Sequence, residues 1–361
     1  STLSSSSAAS DVYKRQDKQR RQRRTNPALV VLFLALIGMM WYFDQYVVEE
    51  LPIAQAATPT PSPVPESLEL QADQFVEEGN LHQAIQLYRQ AIIVSPGSDN
   101  LSNLYVKLAH TEILAGEYES AKTSAENALL LNEQDPRALA ELGWAQSFLG
   151  NEVEAEKSLQ QALALNPDSV EAHAYYAELL TDQGDYEGAS AQSKTALQLN
   201  NQSLVALRAR GYVLYFTGNY ELAAEEFEKA LLINNQVADL HSFLGLSYWS
   251  MGSYDQAIES FNNAARFDSD SPMPDTYISR IYLGTGEYAK AAQFASSAVE
   301  KDPTNPIRWA NWGVALYKNL QYAEAIDAFS YAIHGGETEE GYQVQGLTLD
   351  YDNAEYFYMY G

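Results

Sequence analysis

Residues 141–167 read ELGWAQSFLGNEVEAEKSLQQALALNP. A small residue, Gly143, stands seven positions before Gly150, and two alanines, Ala155 and Ala162, follow with Leu159 between them. Glycine at 150 supplies the left-handed conformation that ends a helix at little steric cost. The apolar positions 155, 159 and 162 keep the three-to-four spacing of a helix with one buried face. Another helical turn through Pro167 would cost about 3 kcal/mol, so the second helix closes there. The stretch predicts two helices joined by a tight turn.

The same pattern recurs along the chain with a period of 34. Ala121, Ala155, Ala189, Ala223, Ala257, Ala291 and Ala325 are 34 residues apart, and Ala128, Ala162, Ala196, Ala230, Ala264, Ala298 and Ala332 repeat that spacing seven residues later. An earlier unit, with Ala84 and Ala91, sits 37 residues before the next, which a three-residue insertion near residues 99–101 explains. Small residues fill repeat position 8 (such as Ala72, Gly143, Gly211 and Gly313), glycine fills position 15, and a large residue usually lies between the alanines (Tyr88, Leu159, Phe227, Phe261, Phe329). Leu320 replaces the turn glycine of the eighth unit. Ala125, Ser193 and Ala295 replace the large second-helix residue, so looser packing is expected at those units.

In register over residues 65–339, these eight units resemble a tetratricopeptide repeat (TPR) protein. The resemblance implies an all-α fold: a right-handed superhelical solenoid of helix pairs whose first helices line a concave groove, each unit touching its neighbours. In that family, positions 2, 5, 6, 9, 12 and 13 tend to face the groove. Here they give Arg137, Trp144 and Phe148, then Tyr175, then Arg208, Tyr212, Tyr215 and Phe216. Phe243 and Trp249, Tyr277 and Arg280, and Asn311 and Tyr317 follow. If each of the ten aromatics left ~50 Å² accessible, the wall would expose ~500 Å², the upper end of what monomers show without a purpose. Large rings beside isolated Arg are also what binding hot spots use. Positions 12 and 13 also pack between neighbouring units, so part of this wall is structural. The family's clamp for a terminal carboxylate needs a Lys and Asn set that these units lack.

An insertion from Gly335 to Asn353, with its loop over residues 340–353, contains TEEGYQVQGLTLD (338–350), whose alternation around Glu340-Gly341 predicts a hairpin or ordered loop. Residues 354–361, AEYFYMYG, place aromatics and glycine as in the opening helix of a ninth unit. Terminal units need a polar capping face, so the chain reads as a fragment.

Ahead of the repeats the composition changes. Residues 1–16 end in DVYKRQ, which resembles a translated sequencing adapter, and are expected to be non-native or disordered. Residues 17–26 are a basic flank, and the stretch from 27 to 43 carries no charge. A charge-free run of this length is near the lower limit for crossing a bilayer core. With Trp41, Tyr42 and Tyr46 at its border, residues 27–48 read as a transmembrane anchor preceding the solenoid, the flank cytoplasmic and the repeats on the opposite side. A cleaved signal peptide, using the small residues Ala54 and Ala56, and a merely buried helix are the alternatives. Residues 49–64 form a Pro/Thr-rich linker.

The chain has a net charge of -26; the first 24 residues are +5, leaving -31 on the remainder. Such a surface repels phosphate backbones, so nucleic acid is not an expected partner. With no cysteine and five scattered histidines, no metal or cofactor is expected. His173 and His241 share position 4, a packing position. No phosphate loop, nucleophile elbow or zinc-protease helix occurs, so no catalytic residue is expected and the chain reads as a non-enzyme. The favoured function is a membrane-anchored scaffold binding a protein or peptide segment in its groove to assemble a complex. The alternatives are a targeting arm of a larger enzyme with its catalytic domain beyond residue 361, and an organelle import receptor with the array in the cytosol.

Overall fold

A computed structural model describes residues 28, 31–32, 35–36, 38–40, 42, 65–350 and 353–360. The chain divides into two units, Ser1–Pro63 and Val64–Gly361. In the first, the described residues between 28 and 42 are helical and exposed. No helix among the described residues is long and apolar enough to cross a membrane. The expected leader (1–16), basic flank (17–26) and linker (49–64) lie outside the described residues, as does most of the expected anchor over 27–48.

The second unit is built of helix pairs. The first pairs are α1 (Pro65–Glu77) with α2 (Leu81–Val94), α3 (Leu101–Leu114) with α4 (Tyr118–Leu131), and α5 (Pro136–Phe148) with α6 (Glu152–Leu165). Next come α7 (Val170–Asp182) with α8 (Tyr186–Leu199), and α9 (Leu204–Phe216) with α10 (Tyr220–Ile233). The last three are α11 (Ala238–Ser250) with α12 (Tyr254–Phe267), α13 (Met273–Thr285) with α14 (Tyr288–Lys301), and α15 (Pro306–Lys318) with α16 (Tyr322–His334). Several first helices start on a polar cap: the Asp135, Ser169, Ser203 and Asn305 side chains accept from backbone N–H groups of the first turn. The turns between paired helices hold glycine at positive φ, as at Gly150 (73°). Leu320 adopts the same conformation at φ 64°, so the eighth turn keeps its shape without glycine.

Close helix approach explains position 8. A Cβ on Gly143 would lie 2.6 Å from Leu159 Cγ, and one on Gly211 2.6 Å from the Phe227 ring. Where the second helix carries a small residue instead, position 8 has a side chain of its own. Ala109 and Ala125 are both fully buried and share a cluster with Leu142, which fills the space expected to be loose. Position 4 fastens the loops between units. The ring nitrogens of His173 and His241 are each 2.9 Å from the carbonyl six residues earlier, at Pro167 and Asn235, and Trp309 Nε1 donates to Pro303 O at 2.8 Å.

After α16 a short antiparallel hairpin pairs β1 (Gly336–Glu337) with β2 (Gln343–Val344), so the last residues of the expected eighth unit belong to the hairpin. Helix α17 (Ala354–Tyr360) then packs its Tyr356, Phe357, Met359 and Tyr360 onto the core of the eighth unit. At the other end of the array, the turn of the first unit meets the loop after α10. Asn234 Nδ2 donates to Glu77 O at 3.3 Å, and the Cβ position of Gly79 is 3.2 Å from Gln236 O. Contact across 157 residues means that the units in between curve back on themselves, with the first helices on the inside.

Candidate functional site

Curvature brings the inward side chains of units two to five into one largely buried chain of polar and aromatic contacts, which ends on the exposed Asp239 of unit six. Trp144 stacks on Tyr175 with centroids 4.1 Å apart and an interplanar angle of 3°. Its indole N–H donates to Glu178 Oε2 at 3.1 Å, and the Arg208 guanidinium lies 4.7 Å over its ring. Arg208 donates to Glu178 at 2.6 Å and to Asp239 at 3.2 Å. Tyr175 donates to Glu141 at 3.3 Å, and Glu141 also takes His110 Nδ1 at 3.2 Å.

Burial sets the electrostatics here. It pushes the Glu178 carboxyl up to about 7, against the pull of Arg208. Burial alone would lower Arg208, but Glu178 and Asp239 hold it above its ordinary value. It would lower His110 as well, and the Glu141 carboxylate reverses that. The Tyr175 hydroxyl is raised well above its usual range, first by burial and then by Glu141. Oε1 of Glu178 is buried without a hydrogen-bond partner among the described residues.

Trp144, Tyr175 and Arg208 are therefore not part of an open wall. They are 2%, 1% and 7% exposed, because position 9 of one first helix lands on position 6 of the next where the curvature is tight. Arg137 is exposed, held by Asp135 at 3.0 Å and Asn103 at 2.8 Å. Phe148, half-exposed, stacks on Tyr118 at 4.5 Å.

Farther along, the wall opens. Tyr212, Phe216 and Phe243 form one ring cluster, with Tyr212 4.7 Å from Phe216 and 5.2 Å from Phe243, and Tyr215 meets Phe216 edge-on at 5.3 Å. Tyr212 is fixed by donating to Asp182 at 2.6 Å. Trp249 and Tyr277 make a second pair at 5.5 Å. Phe216 and Arg280 are exposed, and Tyr215, Phe243, Trp249 and Tyr277 are half-buried. Phe243 and Tyr277 also stack on Phe227 and Phe261, so one face of each is structural. Asn311 lies under α17, within 3.4 Å of the Tyr356 hydroxyl, and Tyr317 turns to Tyr322 at 5.6 Å. Neither joins the two ring clusters.

His110, Glu141, Glu178 and Asp239 were not singled out from the sequence. All four occupy groove-facing repeat positions, so a register of charged residues, beside that of aromatics, would have found them. Units one to four also enclose a cavity of about 510 Å³ on this side, with Val76, Val106, His110 and Glu141 in its walls. No cluster of His, Cys, Asp and Glu fit for a metal ion occurs among the described residues.

Models of the tetratricopeptide repeat match residues 149–211, 208–272 and 244–306. No curated protein matches the chain. Among solved structures, it is similar to a tetratricopeptide repeat protein from Parabacteroides merdae, 19% identical, covering 70% of this chain and 98% of that one with a TM-score of 0.47. It is also similar to pilF of Pseudomonas aeruginosa (21% identity, 55% of this chain and 90% of that one, TM-score 0.48). The Cut9–Hcn1 hetero-tetramer of the APC/C gives 14% identity, 70% of this chain, 56% of that one and a TM-score of 0.53. Residues 149–306 are tetratricopeptide repeats, and the same helix pair, in the same fold, continues on either side of them.

Proposed function

We propose that the chain is a non-catalytic scaffold that binds a protein segment on the concave side of its repeats and holds it at a membrane. The observation that carries this is the open stretch of wall made by Tyr215, Phe216, Phe243, Trp249 and Tyr277 with Arg280 beside it. Rings fixed by their neighbours lose little rotamer freedom on binding, and Arg next to them adds a directed charge, the composition of binding hot spots. The Cut9–Hcn1 structure, which shares the fold, is itself a hetero-tetramer.

Anchoring is supported by the charge-free run from 27 to 43 behind five basic residues, which would leave the repeats on the side away from the cytoplasm. A photo-crosslinking residue in place of Phe216 should trap the partner, while one in place of the exposed Val153 on α6 should not. Equal trapping at both positions would count against the concave side. Alkaline carbonate extraction of membranes tests the anchor: the chain should stay in the pellet, and release into the supernatant contradicts it.

A further inference from the structure

The cavity of about 510 Å³ lies on the concave side of the first four units, inside the range of about 300–1,000 Å³ typical of ligand pockets. Part of its wall is aliphatic, from Val76 and Val106. Tyr88 and Thr111 also line it, the remaining residues are ionisable, and their charges do not cancel. Lys107 is already held by Glu69 at 2.8 Å and Asp73 at 2.7 Å, and Arg137 by Asp135 at 3.0 Å. Glu141, 5% exposed, is satisfied by His110 and Tyr175.

Two wall carboxylates are left. The Glu77 side chain has no polar partner among the described residues, and Glu171 has only the Ser169 hydroxyl at 3.4 Å. Even with His110 protonated, six carboxylates (Glu69, Asp73, Glu77, Asp135, Glu141, Glu171) meet three cations here. An anion is repelled from such a cavity. A cation on an aliphatic stem matches both halves of the lining, since Lys and Arg lay their methylenes on apolar surface and carry the charge beyond it. The net charge of -31 on the body adds a long-range attraction of the same sign.

We propose that this cavity receives a lysine or arginine side chain of a basic polypeptide segment, so that the partner is positively charged where it crosses units one to four. This rests on the reading of the concave side as a polypeptide-binding face.

The test uses the full chain and a fluorescein-labelled Gly-Ser peptide carrying four lysines, followed by fluorescence anisotropy. Its Nε-acetylated and glutamate-substituted twins serve as controls, and spermidine as a competing small amine. The lysine peptide should bind and its twins should not. Glu77→Gln with Glu171→Gln should weaken it roughly tenfold, these carboxylates being exposed and removable without a packing change. Glu154→Gln with Glu187→Gln removes two exposed charges from second helices and should change affinity less than about twofold. Equal losses in the two variants would mean bulk attraction and overturn the proposal. So would undiminished binding of the acetylated peptide, or spermidine displacing the lysine peptide at equal concentration. The Trp249→Ala, Tyr215→Ala, Arg280→Ala variant should still bind the lysine peptide. If that variant also keeps its native partner, the aromatic reading fails and the cavity reading stands or falls on the peptide alone.

Discussion

The Tyr175 hydroxyl lies 3.2 Å from His110 Nδ1, although the two residues are 65 positions apart and belong to units that are not neighbours. In an ordinary solenoid each unit touches only the next. Here Arg208 also reaches across a unit to the face of Trp144. Second-neighbour contacts on the inside of the curve tie units two to five into one connected block.

Arg208 is central to that block, and removing it leaves Glu178 buried without its cation. Arg208→Ala is expected to destabilise the array by about 3–5 kcal/mol, whereas Glu178→Leu with Arg208→Met, which replaces the pair by apolar side chains, should recover most of the loss. Urea denaturation of the three proteins measures this. A double variant no more stable than Arg208→Ala would contradict this account of the pair.

Glu178 also makes stability depend on pH. Its carboxyl is raised from 4.5 to about 7 on folding, mainly by burial, among Arg208, Asp239, Asp182 and the Trp144 indole. The folded state thus holds a proton that the unfolded chain has lost. The stability this confers is fully present below about pH 4.5 and disappears as pH rises through 7. His110, raised by Glu141 against the effect of burial, acts in the same direction. Glu178→Gln keeps the neutral form at all pH values. The variant should match the parent near pH 5 and exceed it near pH 8 in the denaturation midpoint, and a constant difference across that range would contradict the assignment.

Leu320 holds φ at 64° where the other units place glycine, and its side chain is 71% exposed. The left-handed conformation costs a residue with a Cβ roughly 1–2 kcal/mol, part of which glycine returns through the entropy of the unfolded chain. Leu320→Gly should therefore raise stability by about 0.5–1 kcal/mol. A fall in the thermal midpoint would show that the leucine makes a contact that outweighs the strain.

The repeat architecture was legible because its marks are local. Ala155, Ala162 and Gly150 recur every 34 residues, and the helix pairs follow from them. The hairpin at 336–344 was legible from its alternation around Gly341. Exposure of the inward residues was not. Trp144 and Tyr212 share repeat position 9, yet one is sealed under Tyr175 and Arg208 and the other only half-covered. That difference comes from how tightly successive first helices close on each other, a property of the stacked array that a single unit does not encode. The compensation of Ala125 by Ala109 and Leu142 was equally hidden, since it needs the partner across the interface.

The most direct test of the concave side as a docking face is partner affinity in the Trp249→Ala, Tyr215→Ala, Arg280→Ala variant. The partner is first identified by crosslinking from position 216 and then titrated against purified protein, with circular dichroism confirming that the array remains folded. Three hot-spot losses together are expected to weaken binding by more than about a hundredfold while helicity and midpoint stay near those of the parent. Affinity within a factor of about two of the parent, in a folded variant, would contradict a docking role for this face.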